Sequence, residues 1–160
     1  MNRETAAFFG DKICKLDCAM LGLGDVPSSR DQQALEALAV LVALREWVPY
    51  WRNKRVQMAV QTDNIAALTM LCKLQPRSQN LGLIAREIAL DVAASSYSPD
   101  DIKHIPGVAN KAADYLSRIY EPNSAPNSCP PYLPPSLWHK CSPRSERWWR
   151  TVSGPARNNG

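Results

Sequence analysis

Residues 55–62, with the sequence RVQMAVQT, predict a β-strand that is followed directly by Asp63. The next segment, Asn64–Leu74, predicts a helix that Pro76 ends. In a parallel sheet the carboxyl ends of the strands form the edge at which ligands bind. Asp63 therefore has two interpretations, an N-cap of the following helix or a member of a functional site, and one Asp can serve as both.

The flanking sequence predicts helices before and after this strand. Residues 31–47 are rich in Ala, Leu and Glu and predict a helix, with Ser28 or Ser29 as its cap. Residues 78–95 predict an amphipathic helix whose apolar positions have helical spacing: Leu81, Ile84, Ile88 and Val92. A short strand over 101–105 and a last helix over 110–120, capped by Asn110, complete the pattern. Strands separated by helices predict an α/β layer with parallel pairing.

Prolines mark the main boundary in the chain. Eight of the 13 prolines follow residue 120, so that the C-terminal part cannot hold long helices or central strands. We divide the chain into residues 1–30, a remnant strand and loop, residues 31–120, a folded domain, and residues 121–160, a basic tail. Aromatic residues of the tail, including Trp138, Trp148 and Trp149, are expected to dock on the domain or on a partner.

The composition restricts the class of protein. The chain has 160 residues, 45 % hydrophobic and 21 % charged, and a net charge of +4, which excludes wholesale disorder and permits nucleic-acid contact. The longest apolar run, Ala37–Leu44, is far shorter than the roughly 20 residues of a membrane-spanning helix, so we expect no membrane association. Five cysteines without a secretory signal predict free thiols in an intracellular compartment, either nucleus or cytoplasm. The cysteine spacings fit no common zinc motif.

Two further acids stand out beside Asp63. Glu36 is the only charged residue between Ala34 and Leu44. It could equally belong to a solvated stripe on a half-buried helix. Asp114 lies one turn into the last helix, where an ion pair with Arg118 four residues later is the simplest interpretation.

Three segments, taken in order, resemble the ribonuclease H domain that follows reverse transcriptase in retroelements. They are QQALEALAVLVALREW (32–47), VQTDNIAAL (60–68) and IKHIPGVANKAADYLSR (102–118). The stretch from His104 to Arg118 is closest to the ending H-I-P-G-x-x-N-x-x-A-D-x-L-S-R of the large retrotransposon group. The resemblance covers about residues 31–120. It implies a ribonuclease H-like α/β fold, here truncated, in which helices cover a short parallel sheet and a Pro-rich tail follows.

The resemblance also implies a chemistry. In this family four carboxylates hold two metal ions, and Glu36, Asp63 and Asp114 match three of them, so that Mg²⁺ or Mn²⁺ is the expected cofactor. The expected substrate is the RNA strand of an RNA–DNA hybrid, which such enzymes hold through phosphates and 2′-hydroxyls. We assign contacts with nucleic acid to three residues of the matching segments: Asn64, Asn110 and Arg118.

The family's first carboxylate has no clear counterpart. It is an Asp on the first strand, and only 35 residues precede Glu36, too few for three strands and their loops. We expect residues 1–30 to match the end of the third strand and the loop after it, with the first Asp outside this chain. A reverse transcriptase region encoded upstream is a candidate partner. The alternative is that Asp17 replaces it. His104 precedes the turn and is not assigned proton transfer.

Without the first carboxylate we expect this chain to have weak nuclease activity or none. Two other functions stay open at this stage. One is a non-catalytic module that binds nucleic acid through Arg and Lys. The other is a protein-interaction module that works through its Pro/Trp-rich tail.

Overall fold

The computed structural model describes residues 7–24, 28–51, 56–64, 69, 78–94, 97–120 and 133–151. Over these residues the protein is a mixed α/β structure, mostly helical, with one short sheet of two parallel strands. The elements in chain order are α1 (Lys15–Leu21), α2 (Gln32–Glu46), α3 (Val48–Trp51), β1 (Val56–Thr62), α4 (Gln79–Ala94), β2 (Tyr97–His104) and α5 (Lys111–Arg118). None of the described helices has the length and apolar character needed to cross a membrane.

The sheet confirms the predicted parallel pairing. Thr62 lies opposite His104 in the register, and the backbone N–H of Ile105 donates to the Thr62 carbonyl at 3.0 Å, so that β1 and β2 end at the same edge. β2 begins at Tyr97, four residues earlier than predicted. The register shifts at the level of Pro99, which has no N–H to donate to a strand ladder.

The core lies where α2 packs against α4, and it confirms both predicted helices. Leu41 of α2 and a matching set on α4 are almost completely buried: Leu81, Ile84 and Ile88. Val92 completes the predicted stripe and is partly buried against the same cluster. Burial of apolar surface at this contact is the main term that favours the folded state.

The start of α2 differs from the prediction that Ser28 or Ser29 caps the helix. Residues Ser29–Asp31 form a 3₁₀ turn, which places Asp31 at the N-cap position without a side-chain cap hydrogen bond. The Asp31 carboxylate instead accepts hydrogen bonds from the Ser28 N–H at 2.7 Å and the Ser28 hydroxyl at 3.0 Å. The prediction that Ser28 or Ser29 caps α2 is therefore wrong. Ser28 is hydrogen-bonded to Asp31 across the 3₁₀ turn, and α2 begins only after that turn.

The N-terminal segment contains a helix that the sequence analysis did not predict. α1 begins with a reciprocal capping pair, in which the Asp17 N–H donates to Cys14 Sγ at 3.4 Å and the Cys14 N–H donates to the Asp17 carboxylate at 3.0 Å. Asp17 is thus a helical residue, so the alternative that it replaces a carboxylate on a first strand is wrong. Of the remnant strand predicted within residues 1–30, the described part shows one isolated parallel bridge, Phe8 with Trp138.

Residues 133–151 of the tail pack on the domain, which was one of the two placements expected for its aromatic residues. Phe8 and the segment around Trp138 exchange backbone hydrogen bonds, with the Phe8 N–H donating to Leu137 at 3.1 Å and the His139 N–H donating to Phe8 at 2.8 Å. Further along, Trp149 is completely buried within the α2–α4 cluster. The C-terminal segment therefore belongs to the core, although its sequence resembles that of a linker.

The predicted helix Asn64–Leu74 lies almost entirely outside the described residues. Of its central part, only Thr69 is described, and it is helical. The last predicted helix is confirmed as α5, which begins at Lys111 and ends at Arg118.

Replacing Trp149 tests whether the tail is part of the core. We expect Trp149→Ala to lower the free energy of unfolding by about 3–5 kcal/mol, the usual effect of truncating a fully buried aromatic side chain. Urea unfolding followed by circular dichroism measures this change. The matched control is Tyr50→Ala, because Tyr50 is 62 % exposed and its loss should change stability by less than about 0.5 kcal/mol. Equal effects of the two variants would contradict the packing of the tail.

Candidate functional site

The edge at which β1 and β2 end brings two of the sequence motifs into contact. Asn110 donates a hydrogen bond from its side-chain amide to Asp63 Oδ1 at 3.1 Å, although 47 residues separate them. The turn Gly107–Ala109 lies against the same carboxylate, since a Cβ added at Gly107 would stand 3.2 Å from Asp63 Oδ2. A larger residue at position 107 would therefore press on the Asp63 carboxylate, and the corner joins the T-D-N segment to the H-I-P-G-x-x-N segment.

Asn110 and Asn64 fix the corner on either side of Asp63. Asn110 occupies the N-cap position of α5, but its side chain makes no cap hydrogen bond and is directed to Asp63 instead. The predicted cap position is confirmed, but the predicted cap bond is absent, because the Asn110 backbone (φ −90°, ψ 37°) is not in the extended conformation from which a side-chain oxygen usually accepts from the first turn. Asn64 continues the corner, with its N–H donating to the buried Thr62 hydroxyl at 3.1 Å. The end of β1 is thus fixed on both sides of Asp63.

The other two candidate acids have contacts within their own helices. Glu36 is half-buried on α2 and accepts a hydrogen bond from the Gln32 side chain at 2.9 Å. Asp114 forms an ion pair with Arg118 at 3.0 Å, and both side chains are more than half exposed. The i,i+4 ion pair that the sequence indicated for Asp114 is confirmed. Arg118, which was assigned to nucleic-acid contact, is engaged in this pair.

The described residues do not fit a metal site as they stand. Over the described ranges, no group of three or more His, Cys, Asp or Glu side chains is placed so that it could hold a metal ion. Two Mg²⁺ ions need several carboxylates around them to offset their charge. The convergence of Glu36, Asp63 and Asp114 on Mg²⁺ or Mn²⁺ stays a prediction, and we derive no reaction step through a metal.

Of the described thiols, Cys141 lies in an environment that disfavours a nucleophile. Cys14 and Cys141 form no disulfide, and the His139 ring contacts Glu46 at 2.8 Å. Burial raises the pKa of the Cys141 thiol to about 12, and the nearby carboxylates of Asp11 and Glu46 add to this effect. Because the thiolate is the reactive form, Cys141 is inert at neutral pH.

A first buried ionic cluster joins the tail to α1. Arg144 is almost completely buried and contacts two carboxylates, Asp17 at 2.8 Å and Asp11. Asp17 is fully buried, and its Oδ1 has no hydrogen-bond partner among the described residues. Arg144 therefore compensates a charge that cannot reach water.

A second cluster joins α2, α4 and the end of the tail. Arg45 contacts Asp91 at 2.7 Å and also reaches Glu87 and the Trp148 carbonyl. Glu87 in turn accepts hydrogen bonds from the N–H of Arg150 at 3.0 Å and from the N–H and hydroxyl of Thr151, both at 2.7 Å. Burial raises the pKa of Glu87, but the hydrogen bonds from Thr151 and Arg45 outweigh it, so that this pKa lies below its ordinary value.

Sequence reasoning missed both clusters. One signal was present, since Glu87 and Asp91 are spaced four residues apart on a predicted amphipathic helix, next to positions assigned to the core. Acids at that spacing and place indicate a buried cation partner. The sequence alone gave no indication that the partner would be Arg45 or that the tail would complete the cluster.

Comparison of the chain with protein-family models, with curated proteins and with solved structures gives no match.

Removing Arg144 tests the first cluster. We expect Arg144→Leu to lower the free energy of unfolding by about 3–5 kcal/mol, because it leaves the Asp17 carboxylate buried without its cation. The matched control is Arg118→Leu, which breaks the exposed pair with Asp114 and should cost less than about 1 kcal/mol. Chemical denaturation of the two variants measures the difference, and similar losses would show that the Asp17 pair is not buried.

The Glu87 carboxylate predicts acid sensitivity. Its ordinary pKa is 4.5 and its folded pKa is lower, so its contribution to stability is complete above about pH 4.5 and is lost as the pH falls through the folded value. We expect Glu87→Gln to lower the free energy of unfolding at pH 7 by about 1.5–3 kcal/mol and to flatten its dependence on pH between 5 and 3. Urea unfolding at a series of pH values measures both effects. The exposed Glu146→Gln serves as control, and an unchanged slope in Glu87→Gln would disprove the assignment.

Proposed function

We propose that the chain carries a partial ribonuclease H-like domain from a retroelement, which contacts an RNA–DNA hybrid at the corner formed by Asp63 and Asn110 and has little or no nuclease activity of its own. The observation that supports this proposal is the hydrogen bond between those two residues at 3.1 Å. It connects two of the three segments on which the family resemblance depends, and it does so at the carboxyl ends of parallel strands, where ligands bind in α/β folds.

The corner has the groups that recognition of a hybrid requires. The Asn110 amide and the Asp63 carboxylate can serve as hydrogen-bond donor and acceptor toward 2′-hydroxyl groups. Lys103 near the end of β2 and Lys111 at the start of α5 are exposed cations on the two elements that border the corner. Lysines at such positions bind backbone phosphates without reading the base sequence.

The expected weakness of the nuclease follows from the contacts of the three acids. Asp114 is paired with Arg118, Glu36 is bound to Gln32, and Asp63 is bound to Asn110. Hydrolysis by this family needs carboxylates that hold two metal ions close together. Carboxylates that are each engaged with another side chain bind a cation more weakly than three carboxylates that point toward the same ion.

The second candidate is a protein-interaction module that works through the Pro/Trp-rich tail. The burial of Trp149 and of Arg144 argues against the tail as the working surface. Two of its anchoring side chains are used within the molecule. A tail deletion would also remove core residues, so point variants are the suitable test.

Binding of a labelled RNA–DNA hybrid to the full chain tests the proposal. We expect salt-dependent binding that falls at least fivefold in Asn110→Ala and in Lys111→Glu, and that changes less than twofold in Lys15→Glu, a matched charge reversal at an exposed position of α1. Fluorescence anisotropy measures the affinity. Equal losses in all three variants, or no binding of the hybrid, would contradict the proposed contact.

Cleavage of the same hybrid in Mg²⁺ or Mn²⁺ tests the activity. We expect the rate for the unmodified chain to equal that of Asp63→Asn. Metal-dependent cleavage that disappears in Asp63→Asn would show that the carboxylates form an active site and that the chain is a working nuclease. Calorimetric titration with Mn²⁺ separates the two cases, since an active site binds the ion and loses it in the variant.

A further inference from the structure

The side of β1 that faces away from β2 is an open sheet edge in the described part of the chain. The described residues form a sheet of two strands, and Thr62 bonds to β2 through its carbonyl, which accepts from the Ile105 N–H at 3.0 Å. Backbone groups of successive residues point to opposite sides of a strand, so those of Ala59 and Gln61 point away from β2. Both residues are exposed, and we call this side of β1 the free edge.

The strands β1 and β2 differ in their protection against pairing with a further strand. Exposed edges are usually protected by proline or by charged residues. The sequence of β2 includes Pro99 and three charged residues, Asp100, Asp101 and Lys103. The seven residues of β1, VQMAVQT, include no proline, glycine or charged residue. The free edge is therefore suited to accept a strand, and a sheet of two strands gains stability from one.

The sequence of β1 is complementary to itself in the antiparallel direction. When two copies are aligned antiparallel about Ala59, Gln57 lies opposite Gln61 of the second copy and Met58 lies opposite Val60. Amides therefore meet amides and apolar residues meet apolar residues, and such matched cross-strand pairs stabilise a sheet. Because the backbone groups of Ala59 point to the free edge, the two central residues can exchange both of their hydrogen bonds.

The charges at the two ends of β1 favour a second copy of the chain as the partner. In the sequence, Arg55 directly precedes β1 and Asp63 directly follows it. The register centred on Ala59 joins position 55 of each copy with position 63 of the other, so that opposite charges meet at both ends of the pair. Moving the centre to position 58 or 60 removes this match.

We propose that the free edge of β1 is the interface of a homodimer, in which two copies pair antiparallel about Ala59 and form one sheet of four strands. The paired surface is small, so we expect a dimer that dissociates at concentrations on the order of 10 µM. This association needs no nucleic acid, so a failure to dimerise and a failure to bind the hybrid are separate results.

Sedimentation velocity of the full chain between about 2 and about 200 µM, without nucleic acid, tests the proposal. We expect the mass to rise from 17.8 kDa toward twice that value as the concentration increases. Arg55→Glu should weaken association at least tenfold, because like charges then meet at both ends of the pair. The double variant Arg55→Glu, Asp63→Arg should restore association to within threefold. The control Lys15→Glu, the same charge reversal at an exposed position of α1, should change it less than twofold.

Two lysine variants of β1 test the register. Ala59→Lys puts like charges directly opposite each other at the centre and should weaken association at least threefold. Gln61→Lys adds the same charge to the same strand, but the residue opposite is the neutral Gln57, so it should weaken association less than twofold.

Several results would overturn the proposal. One is a mass that stays at 17.8 kDa over the whole range of concentration. Another is a dimer that Arg55→Glu or Ala59→Lys leaves unchanged, since its interface would lie elsewhere. A third is a double variant that circular dichroism shows to be folded but that does not regain association.

Hydrogen exchange of the unmodified chain tests the free edge without any substitution. Raising the concentration from about 2 to about 200 µM should slow exchange of the Ala59 and Gln61 amides at least threefold, because these N–H groups become donors in the dimer. The amides of Val60 and Thr62 face β2 and already belong to the ladder between the two strands, so their exchange should slow less than twofold. Exchange of Ala59 and Gln61 that does not depend on concentration would overturn the proposal.

Discussion

Arg45 is the residue on which the arrangement of the helices and the tail depends most. A single guanidinium contacts Asp91 and Glu87 of α4 and the Trp148 carbonyl of the tail, so that it connects segments up to 103 positions apart. Because it lies at the end of an apolar helix, its charge must be compensated where it is partly buried. The two acids of α4 and the end of the tail supply that compensation, and they fix how α2, α4 and residues 148–151 lie against one another.

The parallel pairing of β1 and β2 has a separate role, since it forms the corner rather than the core. Two strands that end in the same register bring the residues after them into one place, and this is how Asp63 and Asn110 meet across 47 positions of sequence. A two-stranded parallel sheet has little stability of its own. Val60 of β1 packs against the core between α2 and α4, and this contact links the sheet to that core.

The sequence predicted the elements better than the contacts. The helices α2, α4 and α5, the strand β1 and the parallel pairing follow from local composition and periodicity, which act over a few residues. The helix α1 was missed because its start depends on Cys14 acting as a cap, a role that cysteine rarely has. The pairs Arg45–Glu87 and Arg144–Asp17 join residues 42 and 127 positions apart, and no local pattern encodes a partner at such a distance.

The candidate site was predictable in part, for the same reason. That Asp63 follows a strand is local information, and the place of Asn110 after a turn is local too, but their contact depends on the register of two distant strands. The acids of the molecule then divide into two groups. Asp17, Glu87 and Asp91 are buried and each contacts an arginine, whereas Asp63 is exposed and its described contact is a neutral amide. The negative charge of a carboxylate bound to a guanidinium is compensated within the molecule, whereas that of a carboxylate bound to a neutral amide is not. Glu36 also contacts an amide, that of Gln32, but Asp63 is the more exposed of the two and is therefore better placed to meet a cation or a hydroxyl group brought by a ligand.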